Sequence, residues 1–142
     1  MRWQTTLVFA HVLAFIACAS ASNSGNPPQA PAKLDQRFTL KVGAAMAIDG
    51  EGIQVGFESV VSDSRCPKGV QCIRAGEAEI RIWLLQARGR EVRELKTSPP
   101  EDGQVVIDRY RLTLVSLEPQ PTVERALRPS DYVATLIVNR LQ

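Results

Sequence analysis

Apolar and polar residues alternate along the chain from residue 37 onward. In the segment RFTLKV, Phe38, Leu40 and Val42 fall on one face, with charged or polar residues on the other. The segment AMAIDGEGIQVGF shows the same alternation on both sides of the turn residues DGEG. A period of two residues is typical of an antiparallel strand that buries one face. We therefore predict a strand followed by a β-hairpin whose turn lies at 49–52.

The alternation slips once and then resumes. Val60 and Val61 are adjacent apolar residues, and a bulge near Glu58 or Ser59 would account for the slip. In the later segment EAEIRIWLL, Trp83 falls on the outward face among charged residues, so we predict that it is at least partly exposed. The inward positions of this segment are Ala78, Ile80, Ile82 and Leu84.

The second half of the chain continues as short strands between turn signals. REVRELK follows a turn at 88–90, VVI follows the loop SPPEDG, and the long strand YRLTLVSLEPQP ends at its prolines. The connection PTVERALRPS is predicted to contain one helical turn at 123–127. The last segment, DYVATLIVNRL, carries apolar residues on both faces, which is typical of a central strand.

These segments predict an all-β domain. No stretch of ten residues after residue 21 has the periodicity of a helix. Strands separated by turns favour an antiparallel sandwich or small barrel of seven or eight strands. Its edges would be blunted by the charges of Arg88, Arg90, Arg93 and Glu94. Its core would hold the aliphatic residues together with Phe38, Phe57, Tyr110 and Tyr132.

The first residues have the pattern of an export signal. Arg2 gives a positive start, residues 7–17 form an apolar run interrupted by His11, and the small residues CASAS follow. This is the three-part pattern of a secretory signal peptide, and the run is shorter than the ~20 residues that span a bilayer. We assign 1–21 to a signal peptide that is cut after Ala21, although a buried N-terminal helix is the alternative interpretation.

The sequence contains a second candidate cleavage site. The residues FIAC at 15–18 resemble a bacterial lipobox, in which Cys18 would be lipidated and would begin the mature chain. Residues 22–35 are rich in Ser, Asn, Pro and Ala, so they are predicted to form a flexible tether before a single β domain at 36–142. We expect an exported protein that is periplasmic, secreted or anchored to the outer membrane through Cys18.

Removal of the signal peptide changes the chemistry that remains. His11 is the single histidine, so the mature chain would lack Ser-His-Asp and Cys-His catalysis and histidine-ligated metal sites. Losing Arg2 leaves 16 basic against 15 acidic residues, a net charge of +1, which gives no strongly basic surface for nucleic acid. We predict no enzyme, no cofactor, no metal and no nucleic-acid partner, and membrane contact only through a lipid anchor at Cys18.

Cys66 and Cys72 are the remaining pair of cysteines. In an exported protein the default expectation is a disulfide, which for so short a loop contributes about 2 kcal/mol. Pro67 and Gly69 occupy the second and fourth positions of CPKG, as in a type I turn. A redox-sensing disulfide or a metal pair is the alternative. Both are disfavoured, because catalytic dithiols have C-x-x-C spacing and two thiolates alone make a poor metal site.

Polar residues lie on both sides of this pair. Asp63, Arg65, Arg74 and Glu77 are a candidate recognition surface that the disulfide would hold rigid, because loops on a stiff scaffold commonly carry recognition. In the alternative interpretation, Asp63 or Ser64 caps the loop backbone and Arg65 pairs with a carboxylate to hold the turn.

Two further side chains are candidates for recognition. Lys68 would lie at the tip of the disulfide loop, where it would suit the basic-specific pocket of a protease. Trp83 would anchor a partner or stack on a sugar, unless packing or an arginine covers its ring. The turn DGEG has two carboxylates, fewer oxygens than a Ca²⁺ site requires.

The residues around the cysteines carry a resemblance. The phrase DSRCP at 63–67, Cys72, the phrase AGEA at 75–78 and the later segment LVSLEPQP together resemble a family of small exported bacterial proteins, some of which are lipoproteins. The resemblance implies bacterial export and a β domain. It implies no activity, and no catalytic residue carries over to this chain.

We therefore expect an exported, non-enzymatic β domain of the cell envelope that serves as a binding or structural module for an unidentified envelope protein or ligand. One alternative is a secreted protease inhibitor that presents Lys68. The other is a histidine-free hydrolase, which would require a close cluster of carboxylates in a deep pocket.

Overall fold

A computed structural model describes residues 30–142 of the chain. The predicted signal peptide, Cys18 and the first part of the predicted tether lie outside the described residues. The strands are β1 Arg37–Lys41, β2 Ala45–Ile48, β3 Ile53–Asp63, β4 Ala78–Gln86, β5 Gly89–Lys96, β6 Gln104–Ile107, β7 Tyr110–Glu118 and β8 Val133–Arg140. Short 3₁₀ turns occur at Pro100–Gly103 and Pro129–Asp131.

The eight strands form two antiparallel sheets of four. One sheet has the order β2-β3-β4-β5 and the other has the order β1-β8-β7-β6. The sheets are not closed into a barrel, so the domain is a sandwich. This confirms the all-β prediction and decides between its two architectures. Strand β8 pairs with β1 on one side and β7 on the other, which confirms the central position predicted from its apolar faces.

The first hairpin and its bulge are confirmed. Ile48 pairs with Ile53 across the turn at 49–52. The register between β3 and β4 shifts between Phe57 and Ser59, where the slip in alternation predicted a bulge. A second shift follows between Val60 and Ser62.

The core lies between the sheets, and the alternating residues supply it. The four inward side chains predicted for β4 are completely buried, as is Phe57 of β3. Trp83, on the opposite face of β4, is partly exposed as predicted. The predicted aromatic residues Phe38, Tyr110 and Tyr132 are also buried, and the remaining core consists of aliphatic residues and Met46.

The edge strand β5 carries three of the four predicted charges, and Arg88 lies in the turn before it. Arg93 pairs with Glu91 on the same strand at 2.7 Å, and Arg90 pairs with Glu58 of β3 at 2.7 Å. Charged side chains on an exposed edge hinder pairing with another chain.

The sandwich includes residues that the sequence assigned to the tether. The backbone of Ala32 accepts a hydrogen bond from Asp49 and donates one to Ala47 of β2. Asp35 donates its N–H to Val138 of β8. Residues 32–35 therefore pack against the β domain, and Ala32 and Leu34 contact its core.

The helical turn predicted at 123–127 is wrong. Thr122 forms a β-bridge with Lys68, which holds this connection against the 64–77 loop. The helical turn that does occur lies later, at Pro129–Asp131, where proline stands at the first position and the Asp131 carboxylate accepts the N–H of Arg128 at 3.0 Å.

The connections between strands lie at the two ends of the sandwich. The β3–β4 loop (64–77), the β5–β6 loop (97–103) and the β7–β8 loop (119–132) share one end, because their flanking strands run antiparallel. The tight turns at 49–52, 87–88 and 108–109 share the other end. Within residues 30–142, no helix is long and apolar enough to cross a membrane.

Candidate functional site

The β3–β4 loop is closed by the predicted disulfide. Cys66 and Cys72 are bonded, with their Cα atoms 6.0 Å apart. The tight turn inside the ring begins one residue later than predicted: Val70 donates its N–H to the Pro67 carbonyl at 3.2 Å. Gly69 is thereby the third residue of the turn, and its φ of 78° is the positive value that a type II turn requires.

Arg65 joins this loop to the second sheet. Its guanidinium donates Nε to Oδ1 of Asp63 at 2.9 Å and Nη2 to Oδ2 at 2.8 Å. The same group donates to the backbone carbonyls of Leu117 and Pro119 on the β7 side. Tyr132, just before β8, donates its hydroxyl to Oδ2 of Asp63 at 3.0 Å. We call these five residues the Arg65 clamp.

The Arg65 clamp is largely shielded from solvent. The side chains of Arg65 and Asp63 are 13% and 6% exposed, and no buried side-chain polar atom in residues 30–142 lacks a hydrogen-bond partner. Burial alone raises the pKa of Asp63, but the hydrogen bonds and charge of Arg65, aided by Tyr132, outweigh it and leave the net pKa below its ordinary value. Burial and the Asp63 carboxylate raise the pKa of the Tyr132 hydroxyl.

A second set of contacts ties the disulfide ring to the β7–β8 loop. Lys68 donates its backbone N–H to the Pro121 carbonyl at 2.9 Å. Gln120 donates Nε2 to the Cys66 carbonyl at 3.1 Å. The ring is therefore fixed at three places: by its own disulfide, by the Arg65 clamp and by these two hydrogen bonds with the β7–β8 loop.

The structure separates the predicted recognition residues into different roles. Asp63 and Arg65 hold the turn, as in the alternative interpretation, and offer little surface to a partner. Lys68 and Arg74 are exposed, and neither forms an ion pair within the described part of the chain. Glu77 is partly exposed and pairs with Lys96 of β5 at 3.3 Å.

Three apolar residues at this end were missed by the sequence analysis. The side chain of Ile73 is 104% exposed, that of Val123 is 71% exposed and that of Val70 is 42% exposed. They belong to the 64–77 and 119–132 loops, which the Lys68–Thr122 bridge brings together. The sequence feature that could have identified them is an apolar residue in a loop, outside the alternation of any strand. We define the clip-end surface as Lys68, Val70, Ile73, Arg74 and Val123.

Trp83 does not belong to the clip-end surface. It lies on the outer face of β4, five residues along the strand from the loop, a distance of about 17 Å at ~3.3 Å per residue. Its indole lies across Gly56, the residue paired with it on β3, and a Cβ built on Gly56 would lie 2.0 Å from the ring. The guanidinium of Arg90 stacks on the ring 4.7 Å from its centroid. The ring is thus packed between backbone and arginine, and it offers no open face for stacking a sugar.

A group of carboxylates lies beside the clip-end surface, near the edge strand β5. They line an open cleft of about 310 Å³ with Lys96 and Gln104, and they belong to Glu79, Glu94, Glu101 and Asp102. Arg81 binds Glu94 at 2.7 Å, and hydrogen bonding from Arg81 lowers the pKa of Glu94. The cleft is open rather than deep, so it offers little support to the hydrolase alternative.

The opposite end of the sandwich holds a second cleft of about 410 Å³ between the tight turns. The hydroxyl of Tyr110 donates to Oε2 of Glu51 at 2.8 Å, and Arg140 lies 3.2 Å from Oε1. Glu51, one of the two carboxylates in the turn DGEG, is therefore engaged by Tyr110 and Arg140 and closes this end of the core.

The backbone at Lys68 also bears on the protease-inhibitor alternative. A substrate-like loop offers an extended backbone whose N–H and C=O groups pair with the protease. Here the N–H of Lys68 is already bonded to Pro121, and the chain reverses at the turn that contains Gly69. The exposed side chain is available to a pocket, but the backbone N–H of Lys68 is already engaged.

Comparison with known proteins returns no matching family model, no matching curated protein and no matching solved structure.

Proposed function

We propose that the chain is exported and that its sandwich is a non-enzymatic binding module of the bacterial cell envelope, which recognises its partner through the clip-end surface. The observation that carries this proposal is a fully exposed isoleucine, Ile73, next to Arg74, a cation with no ion pair within residues 30–142. Both directly follow the disulfide ring, which is fixed at three places. Fixing a loop before binding lowers the entropy that binding must overcome. The fixed loop therefore holds these two side chains ready for a partner at a low entropy cost.

Export is supported by the leader-like first 21 residues and by the disulfide. Disulfides persist in oxidising compartments such as the periplasm and are rare in the cytosol. The phrase shared with exported bacterial proteins points the same way. Whether the mature chain begins at Ser22 or at an acylated Cys18 is a separate question, because either start delivers the same sandwich to the envelope.

The binding proposal is tested by sedimentation with envelope fragments of a bacterium. The chain starting at Ser22, which cannot carry an acyl group on Cys18, is mixed with the fragments and pelleted. We expect the wild type to pellet and the double variant Lys68→Glu/Arg74→Glu to stay in the supernatant. The matched control is Arg88→Glu, which reverses an exposed cation at the opposite end of the sandwich. Equal recovery of the double variant and the wild type would refute the role of this surface.

A further inference from the structure

We infer that the partner of the clip-end surface is an anionic lipid bilayer, into which Ile73 inserts while Lys68 and Arg74 bind headgroup phosphates. This inference rests on the proposed function and names the partner class. From the sequence we predicted membrane contact only through a lipid anchor at Cys18. The inference adds a second membrane contact, made by the sandwich itself.

The two most exposed apolar side chains lie in the joined loops at this end of the sandwich, whereas the other strongly exposed ones, apart from Val70, lie singly on strands. Ile73 and Val123 are the most exposed large apolar residues among those described, and Val70 lies in the same ring as Lys68. Transfer of so fully exposed an isoleucine side chain from water to an apolar environment is favourable, because it removes apolar surface from water. Scattered exposed apolar residues need no explanation, whereas a group of them at the tips of two joined loops indicates a surface that becomes covered.

The charges of the segment that carries Ile73 complement an anionic surface, although the other loop carries Glu124 and Asp131. Residues 64–76 contain Arg65, Lys68 and Arg74 and no acidic residue. Arg65 is used by the clamp, so the two outer cations remain for a partner. Cations beside an inserted apolar side chain are typical of protein segments that bind the interface of anionic membranes.

The shape of the surface favours a bilayer over a partner protein. A stable protein interface buries about 800 Å² on each side and needs a matching surface. The clip-end surface offers a few side chains that protrude, with Ile73 free of neighbours. A fluid interface accepts protruding side chains without matching them, and long cationic side chains can keep their heads at the phosphates.

The acidic cleft beside β5 sets the orientation of the domain. Its carboxylates, including Glu101 and Asp102, would be repelled by anionic headgroups. The domain would therefore tilt so that the disulfide ring and Val123 face the lipid and the β5 edge faces away.

Vesicle binding tests the inference. The chain starting at Ser22 is titrated with vesicles of phosphatidylglycerol and phosphatidylcholine in equal parts, and with vesicles of phosphatidylcholine alone. We expect binding to the anionic vesicles that weakens as salt is raised, and little binding to the neutral ones. Ile73→Ser should weaken binding about 10-fold through lost apolar burial. Lys68→Gln and Arg74→Gln should each weaken it about 5-fold.

Matched controls come from exposed residues outside this surface. Val106→Ser removes an apolar side chain that is 49% exposed on β6, and Arg88→Gln removes a cation at the opposite end. Both should bind as the wild type does. Insertion is read separately from Ile73→Trp, whose emission should shift to the blue when anionic vesicles are added and stay unchanged with neutral vesicles.

The outcomes separate this inference from the proposed function. Failure to bind anionic vesicles, or equal binding by Ile73→Ser and the wild type, would overturn the lipid inference. If envelope fragments still retained the wild type and released Lys68→Glu/Arg74→Glu in that case, the proposed function would stand with a protein partner. Failure to bind either vesicles or envelope fragments would overturn both.

Discussion

Arg65 and Asp63 form a bidentate ion pair at the end of β3, with N–O distances of 2.9 and 2.8 Å. The remaining donors of the guanidinium reach the carbonyl of Leu117 in the other sheet and that of Pro119 in the loop that follows it. One side chain therefore satisfies a shielded carboxylate and joins the two loops that carry the clip-end surface. Its planar fork suits this task, because no other side chain presents five donors in a fixed plane.

Replacing Arg65 by lysine should destabilise the domain. Lys keeps the charge but cannot bridge Asp63 and both carbonyls at once, so we expect the free energy of unfolding to fall by about 2 kcal/mol. Urea unfolding measures the change. The control is Arg125→Lys, which alters a cation that is 61% exposed and pairs with Asp131, and which should change stability by less than about 0.5 kcal/mol. Equal stability of the two variants would contradict the clamp.

Acid should weaken the domain through two carboxylates. The net pKa of Asp63 lies below its ordinary value of 3.8, and the N–H and side chain of Arg128 lower the pKa of Asp131 to about 2. A depressed pKa stabilises the fold above the unfolded-state value, and this stabilisation is lost as pH falls through the folded-state value. We therefore expect the free energy of unfolding to fall from about pH 4 towards pH 2.

The variant Asp63→Asn isolates one of these carboxylates. It should be less stable than the wild type at neutral pH, and the difference should shrink below about pH 4 as the wild-type carboxylate becomes protonated. Urea unfolding of both proteins at a series of pH values gives the comparison. A difference that stays constant down to pH 2 would show that the charge of Asp63 contributes nothing.

Reduction of the disulfide should weaken the fold without destroying it. Opening a ring of seven residues removes about 2 kcal/mol in the chain-entropy model. The Arg65 clamp and the Lys68–Pro121 hydrogen bond remain, so the β spectrum in circular dichroism should be unchanged under native conditions. Urea unfolding with and without reductant measures the loss. Unfolding of the reduced protein in the absence of urea would contradict this account of the loop.

Gly56→Ala should displace Trp83. The added Cβ would lie 2.0 Å from the indole, so the ring must move off β3. We expect a loss of about 1–3 kcal/mol, as for other overpacked sites, and a red shift of tryptophan emission as the ring enters water. Trp83 is the one tryptophan of residues 22–142, so the emission reports on it alone.

A double-mutant cycle checks the cause of that loss. In a Trp83→Ala background, Gly56→Ala should cost much less, because the clash is gone. An equal cost in both backgrounds would mean that the contact between these residues is not the reason.

The strands were predictable because one rule governs them. Period-two alternation placed the residues of β1, β3 and β4 on the correct faces, and the adjacent Val60 and Val61 signalled the bulge. The choice of sandwich over barrel was not predictable, since it depends on which strands pair across the chain, as β1 does with β8. Alternation within each strand is the same in both architectures.

The loops were less predictable because their conformations depend on distant partners. Residues 123–127 have helix-forming residues, but the bridge between Thr122 and Lys68 overrides that preference. The pairing of Arg65 with a carboxylate was one of two interpretations, and the sequence could not show that the same guanidinium also reaches Leu117 and Pro119. Ile73 escaped notice because an apolar residue in a loop has no periodic pattern to indicate its exposure.

The mass of the intact native protein, recovered from outside the cytoplasm, tests the central claim of an exported and disulfide-closed sandwich most directly. We expect a chain that begins at Ser22, or at Cys18 with acyl groups attached, and that is lighter by two hydrogens than the reduced sequence. A chain that still carries its first 21 residues, or one whose Cys66 and Cys72 are free thiols, would contradict the account.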